Sequence, residues 1–278
     1  MLKYKIVTDS SSDMLNFNNI PFAVTPLKIM TEQKEYVDNN TLDVAAMVDE
    51  LLRHKGRSST SCPNTDEWLT AFGDAERIFC VTISATISGC YNAACVAKSL
   101  YEEQHPDRKV FVINSLSTGP EMKLIIEKLS ELISEDKQFE DICDEITAYQ
   151  SKTGLIFMLE SMKNLAANGR VSHLAAKAAG LLGIRVVGKA SEKGDLQPLD
   201  KCRGAAKALC AIIDRMREEG FWGGKVRISH CLNIELASQL SKALIKEFGN
   251  IDIEIYNCGG LCSFYAEKGG LIVGFEKD

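Results

Sequence analysis

The feature that constrains this chain most is a repeated alternation of short apolar runs with segments of helical spacing. KYKIVTD (3–9), IFCVTIS (78–84) and VFVIN (110–114) have strand length and a nearly continuous apolar character. Runs of that kind suit strands covered on both faces. FAVTPLKIM (22–30) and the following KEYVD also read as strands, with Pro26 at a bend or edge. Between the strands, Leu42 to His54 carries apolar residues at 44, 47, 48, 51 and 52, a helical spacing. Asn64 and Glu67 form a capping box ahead of Trp68. Ser88 to Leu100 reads as a helix rich in small residues, and two further helices are expected at 120–134 and 139–150.

A second set begins at GLIFML (154–159). It continues through helix-like SMKNLAANGR and SHLAAKAAGLLG, strand IRVVGKAS, the turn EKGD (192–195) and strand LQPLD. The segments AAKALCAIIDRMREEG, VRISHC, IELASQLSKALIKEF, IDIEIYN and LIVGFEK complete the alternation. Alternating βα units predict an α/β protein with mainly parallel sheets flanked by helices. For 278 residues, at roughly 100–200 per domain, two α/β domains are expected. The boundary is placed in YQSKT, giving domains 1–152 and 153–278.

Composition removes several function classes. With 32 basic and 38 acidic residues the net charge is −6, which argues against broad binding of a phosphate backbone. No run reaches the roughly 18 apolar residues of a membrane span, and charges interrupt any apolar core in MLKYKIVTDSSSD. The ten cysteines are scattered, several inside apolar segments such as RIFCVTI and AAKALCAII. The pairs Cys90/Cys95 and Cys258/Cys262 lack C-x-x-C spacing. Buried thiols in a reducing cytoplasm are expected, with no metal site. Neither a P-loop nor a dinucleotide fingerprint is present.

The informative chemistry is hydroxylic. TDSSSD (8–13), TISATISGCY (82–91) and NSLSTG (114–119) each follow an apolar strand, where open α/β sheets place ligands. RSSTSCP (57–63) precedes the capped helix. Such loops offer hydroxyls together with free backbone N–H groups, a setting for an anionic oxygen. Each segment also has an ordinary capping role open to it. His230 ends a strand, where α/β sites collect. NGR (168–170) and CRG (202–204) each set an arginine beside a glycine, suited to phosphate or carboxylate partners.

In this order, KIVTDSSSD, PLKI, TSCP, SATISGCYNAA, VINSLSTG, NGRVS, LLGIRVV, PLDKCRG and ISHCLNIELA resemble the DegV family of bacterial fatty-acid-binding proteins over nearly the whole chain. The resemblance implies two α/β domains enclosing one long-chain fatty acid, such as palmitate, stearate or oleate, between them. It implies a carrier without a catalytic centre, serving a separate ATP-dependent fatty acid kinase subunit in phospholipid metabolism. It assigns Thr60, Ser61, Ser88 and Gly89 to the acyl carboxylate, and Arg170 and Arg203 to docking the kinase. A cytoplasmic monomer with no other cofactor is expected. The chain departs from the family in having Cys62 where Gln is usual. It also has YNCGGLCSFYAEKGG where a Gly-Pro-Gly-type turn with His or Thr is frequent. Cys258 and His230 are the candidate additional contacts there.

The physical chemistry is consistent with such a ligand. A buried carboxylate without donors takes up a proton, and hydroxyls with N–H groups supply donors without a buried cation. About fourteen methylenes at roughly 0.8 kcal/mol each amount to about 11 kcal/mol of gross burial. Ile87, Phe157, Leu159, Leu165 and Phe264 are the candidate tunnel walls. The competing expectation is an acyl hydrolase or transferase with Ser84 or Ser88 as nucleophile and His173 or His230 as base.

Overall fold

The computed structural model describes residues 4–172 and 183–278. The first half runs β1 (Tyr4–Asp9), β2 (Phe22–Thr25), β3 (Lys28–Thr31), β4 (Glu35–Val37), α1 (Val44–Arg53), β5 (Ser58–Ser61) and α2 (Thr65–Phe72). It continues with β6 (Arg77–Thr82), α3 (Cys90–Gln104), β7 (Lys109–Asn114), α4 (Pro120–Ser134) and α5 (Phe139–Gln150). The second half runs β8 (Thr153–Leu159), α6 (Lys163–Ala167), β9 (Ile184–Ala190), β10 (Leu196–Arg203), α7 (Ala205–Glu218) and β11 (Lys225–His230). It ends with α8 (Ile234–Phe248), β12 (Asp252–Asn257), α9 (Gly260–Ala266) and β13 (Leu271–Glu276). The expected helix SHLAAKAAGLLG, including His173, lies almost wholly outside the described residues.

The apolar runs at 3–9, 78–84 and 110–114 become neighbours in one sheet of order β2–β1–β6–β7, parallel throughout. The connections from β2 to β6 and from β6 to β7 carry helices that cover the sheet, whereas β1 reaches β2 through a loop of about a dozen residues. Its core gathers Ile6, Val7, Trp68, Phe72, Phe79 and Ile125.

The second sheet has the order β10–β9–β8–β13–β11–β12. Here the expectation of mainly parallel pairing meets a different arrangement. Only β11 and β12 run parallel, and the other four pairings are antiparallel. Two devices cause this. The EKGD turn makes β9 and β10 a hairpin, with Gly194 at φ +81°. The last strand, β13, then enters between β8 and β11 against the direction of both. Sequence alternation of βα type fixes the order of elements, not the direction in which a late strand inserts.

All seven residues of β8 are buried. Ile156 and Met158 face a core with Ile212, Phe221 and Phe275. Leu155, Phe157 and Leu159 face another core, shared with Ile29, Met47, Val48, Cys262 and Phe264. That second core therefore draws on both sides of residue 152. Its remaining wall is a small antiparallel sheet, β4–β3–β5, which the hydroxyl-rich 57–63 segment enters as a strand rather than as a loop.

Helix α4 lies against β1 and β6 of the first sheet and β8, β11 and β13 of the second. Its buried residues run from Pro120 to Leu132 on almost every side. No described helix is long and apolar enough to cross a membrane.

The approach of α4 to β13 is closest at Gly274, where a Cβ would stand 2.6 Å from the Glu121 nitrogen and 2.6 Å from the Pro120 carbonyl carbon. Backbone cannot move aside as a side chain can. Gly274→Ala is expected to destabilise the fold by roughly 1–3 kcal/mol, the cost of overpacking. Urea unfolding would show this as a lowered midpoint at unchanged slope.

Candidate functional site

Three loops meet at the carboxyl ends of the first sheet, and buried polar side chains hold them. At the end of β1, Asp9 accepts from the Ser11 nitrogen at 3.1 Å, from the Ser11 hydroxyl, and from the Ile83 nitrogen at 2.8 Å. It thereby ties the loop after β1 to the loop after β6. Burial pushes its carboxyl up to about 6 against those donors. At the end of β7, Asn114 Oδ1 accepts from the Ala85 nitrogen at 3.0 Å and from Leu116 at 3.3 Å. The Gly119 nitrogen donates to the Ser11 carbonyl at 2.7 Å, and Gly119 itself takes φ +52°.

The fourth piece is α9, which the sequence pattern did not reveal. Asp38 Oδ1 accepts from the Gly260 nitrogen at 2.6 Å and its Oδ2 accepts from Leu261 at 2.9 Å. Asp13, in the left-handed region at φ +56°, accepts from the Gly259 nitrogen at 2.8 Å. Both carboxylates come from the first sixty residues, and α9 comes from the last twenty. Carboxylates at a helix start satisfy its free N–H groups and favour its dipole. Burial raises both carboxyls, Asp13 to about 7 with Asp38 adding to the effect.

These anchors border a narrow cavity. One part of its wall is polar: Thr60, Ser88, Thr118, Arg170, Cys262 and Tyr265. The rest is apolar, with Leu155, Phe157 and Leu159 from β8, Ile272 from β13, and Ile83, Ile87, Leu165 and Leu196 around them. No aspartate or glutamate is among the described residues of the lining. Leu155 also borders a separate polar cleft, together with Glu121, Gln150, Lys189 and Lys277.

The polar groups are linked to one another. Thr60 Oγ1 and the Tyr265 hydroxyl are 2.8 Å apart. Burial raises the Tyr265 phenol, so it stays protonated and can donate. Thr118 Oγ1 lies 3.6 Å from Cys262 Sγ, and that thiol donates to the Ser11 carbonyl at 3.3 Å. Ser88 Oγ is 3.2 Å from Cys90 Sγ and accepts from the Cys90 nitrogen at 3.3 Å. Arg170 donates through Nε to the Ile87 carbonyl at 3.1 Å and through Nη1 to the Asn168 carbonyl. Its guanidinium carbon stands 5.9 Å from the Tyr265 ring centre.

The structure brings Thr60, Ser88 and Arg170 to one cavity. Ile87, Phe157, Leu159 and Leu165 line it as well, while Phe264 is buried behind it with its ring against Tyr265. Ser61 follows Thr60 on β5 and, by strand alternation, faces the other way. Gly89 is exposed at the N-cap of α3, and a Cβ there would stand 3.2 Å from Cys62 Sγ. Arg203 is exposed on β10. Cys258 is buried outside the lining and donates to Ser229 Oγ at 3.4 Å. His230 is buried too, and its Nδ1 accepts from the Asn233 nitrogen at 3.2 Å. Burial lowers its imidazole below the usual histidine range.

Sequence reasoning missed Thr118, Cys262 and Tyr265. Thr118 stood inside the flagged NSLSTG segment, whereas nothing in YNCGGLCSFYAEKGG announced a helix. For the competing hydrolase arrangement, no described histidine hydrogen-bonds to Ser84 or Ser88, and His173 lies outside the described residues. All ten cysteines are free thiols. Cys210, expected inside, is exposed.

A family model described as "Uncharacterised protein, DegV family" matches residues 3–278. A DegV domain-containing protein of Streptococcus pneumoniae is 42% identical over 281 residues, covering 100% of both chains. Among solved structures, a DegV family protein from Eubacterium eligens loaded with heptadecanoic acid superposes with a TM-score of 0.97. It is 45% identical and the match covers 99% of this chain and 100% of that one. The Streptococcus pneumoniae Fatty Acid Kinase (Fak) B3 protein loaded with linoleic acid also gives 0.97, at 42% identity and 100% coverage of both chains.

The raised carboxyl of Asp13 has a consequence for stability. The folded protein holds that proton up to about pH 7, whereas an unfolded chain releases it near about 3.9. Between these values the folded state binds more protons, so stability falls as pH rises. Asp13→Asn keeps the acceptor for the Gly259 N–H and removes the titration. Urea unfolding across that window should show a shallower loss for the variant than for wild type. Equal slopes would contradict the assignment.

Proposed function

Since the chain belongs to the DegV family, we propose that it encloses one long-chain fatty acid in this cavity and presents the carboxylate to a separate ATP-dependent fatty acid kinase subunit. The observation that carries the reading is the mixed lining: linked hydroxyls and a guanidinium set into a cavity otherwise walled by aliphatic and aromatic carbon. The fatty acids held by the similar Eubacterium and Streptococcus proteins support it.

In this reading Thr60, Ser88, Thr118 and Tyr265 donate to the carboxylate, and the start of α3 at Gly89 adds backbone N–H groups. Donors of this kind keep a carboxylate ionised inside a protein. The tail lies along β8 and β13, where each buried methylene contributes about 0.8 kcal/mol. The lobes 1–152 and 153–278 close over it. Arg170, fixed at the cavity wall by the Ile87 carbonyl, is placed to meet the carboxylate or a phosphoryl group arriving on it. Exposed Arg203 serves docking of the kinase. The chain acts as a cytoplasmic, monomeric carrier, and the phosphoryl-transfer chemistry belongs to the partner.

Native mass spectrometry of the purified protein should show a co-purifying fatty acid mass. Protein that is empty and takes up neither oleate nor palmitate would overturn the reading. Ser88→Ala is expected to weaken fatty acid binding by roughly 1–3 kcal/mol through an unsatisfied carboxylate oxygen, measured by titration calorimetry. Arg203→Ala should leave that affinity unchanged and lower acyl phosphate formation with the kinase. Equal loss of lipid affinity in both variants contradicts the division of roles.

A further inference from the structure

Resting on the fatty acid reading above, we propose that Phe157, seated on Gly188, sets the length of acyl chain the cavity accepts. Phe157 is the bulkiest apolar side chain lining the cavity and is 3% exposed. On β8 it pairs with Ile272 of β13 on one side and Gly188 of β9 on the other. A Cβ on Gly188 would stand 2.4 Å from Phe157 Cζ. The ring therefore occupies the space that any other residue at 188 would fill. The Gln197 carbonyl oxygen, 2.5 Å from the same point, closes the far side of the seat.

Gly188 does not have the left-handed backbone that would call for glycine. What demands glycine there is the ring on one side and the Gln197 carbonyl oxygen, which is backbone, on the other. An aromatic side chain laid over a strand glycine is a known way to cover the bare backbone. Here it has a second effect: the ring leans over Gly188 of the neighbouring strand and still lines the cavity. The bulk at 157 and the bareness at 188 act as one pair, and together they fix the room left for methylenes. A pocket fitted to its ligand discriminates chains differing by one methylene by about tenfold or more. Position 157 is then a selectivity position rather than a wall position of no consequence.

The test is a binding series of myristate, palmitate, stearate and arachidate on the full chain, with near-ultraviolet circular dichroism confirming the fold of each variant. Phe157→Ala opens the cavity and should move the arachidate-to-palmitate affinity ratio toward arachidate by about tenfold or more. Phe157→Leu, the milder core change, should move it in the same direction by less. Phe275→Leu, in the core on the opposite face of the sheet, should leave the ratio as it is. A folded Phe157→Leu and Phe157→Ala pair that both keep the wild-type ratio within about twofold overturns the proposal while the fatty acid reading stands. Wild-type protein that binds none of the four acids overturns the reading itself.

Discussion

Helix α4 has sheets on both sides, and only the edge that carries Glu131 and Ser134 reaches solvent. Met122, Leu124, Ile125, Ile126, Leu129 and Leu132 are buried around its circumference. A helix buried on most of its sides is one that its neighbours have enclosed. The polar exceptions need partners, and Glu121 finds one in Thr153 Oγ1 at 2.7 Å, with burial raising its carboxyl. Two sheets that share a helix are held in one arrangement by its packing. The start of that helix is also where Thr118 and Gly119 sit, so the placement of one cavity hydroxyl follows from the seam between the sheets.

The charges near the site work by holding backbone. Asp9, Asp13 and Asp38 are all buried or nearly so, yet none lines the cavity. Each accepts from main-chain nitrogens of another segment, and so converts the desolvation of a carboxylate into a fixed loop position. Among the described residues, the cavity is left with neutral donors and the Arg170 guanidinium. Separating the two kinds of group in this way lets a bound anion meet hydrogen bonds without facing like charge.

Much of the fold was legible because periodicity records it. Strands at 4–9, 77–82 and 109–114 and helices at 120–134 and 139–150 fall where apolar spacing put them. The direction of strands in the second sheet was not legible, because the insertion of β13 is a tertiary event. For the site, hydroxyl chemistry pointed to Thr60 and Ser88. Treating RSSTSCP as a loop concealed that Thr60 and Ser61 alternate on a strand and cannot share a face. Tyr265 and Cys262 were invisible because α9 is short, contains glycine at its first position and is capped by residues more than two hundred positions away. Arg170 was visible as chemistry, but its place against Ile87 and Tyr265 arises only when the two halves meet.

Leu155 has the apolar cavity on one side and the polar cleft with Glu121, Gln150, Lys189 and Lys277 on the other. Its side chain is one that both spaces share. Hydrogen bonds from neutral hydroxyls are strong only while the medium around them is dry. A leak at Leu155 would admit water along the sheet, and the same hydroxyls would then compete with solvent for any anion they hold. How dry the cavity stays at this point thus turns on one isobutyl group of a central strand.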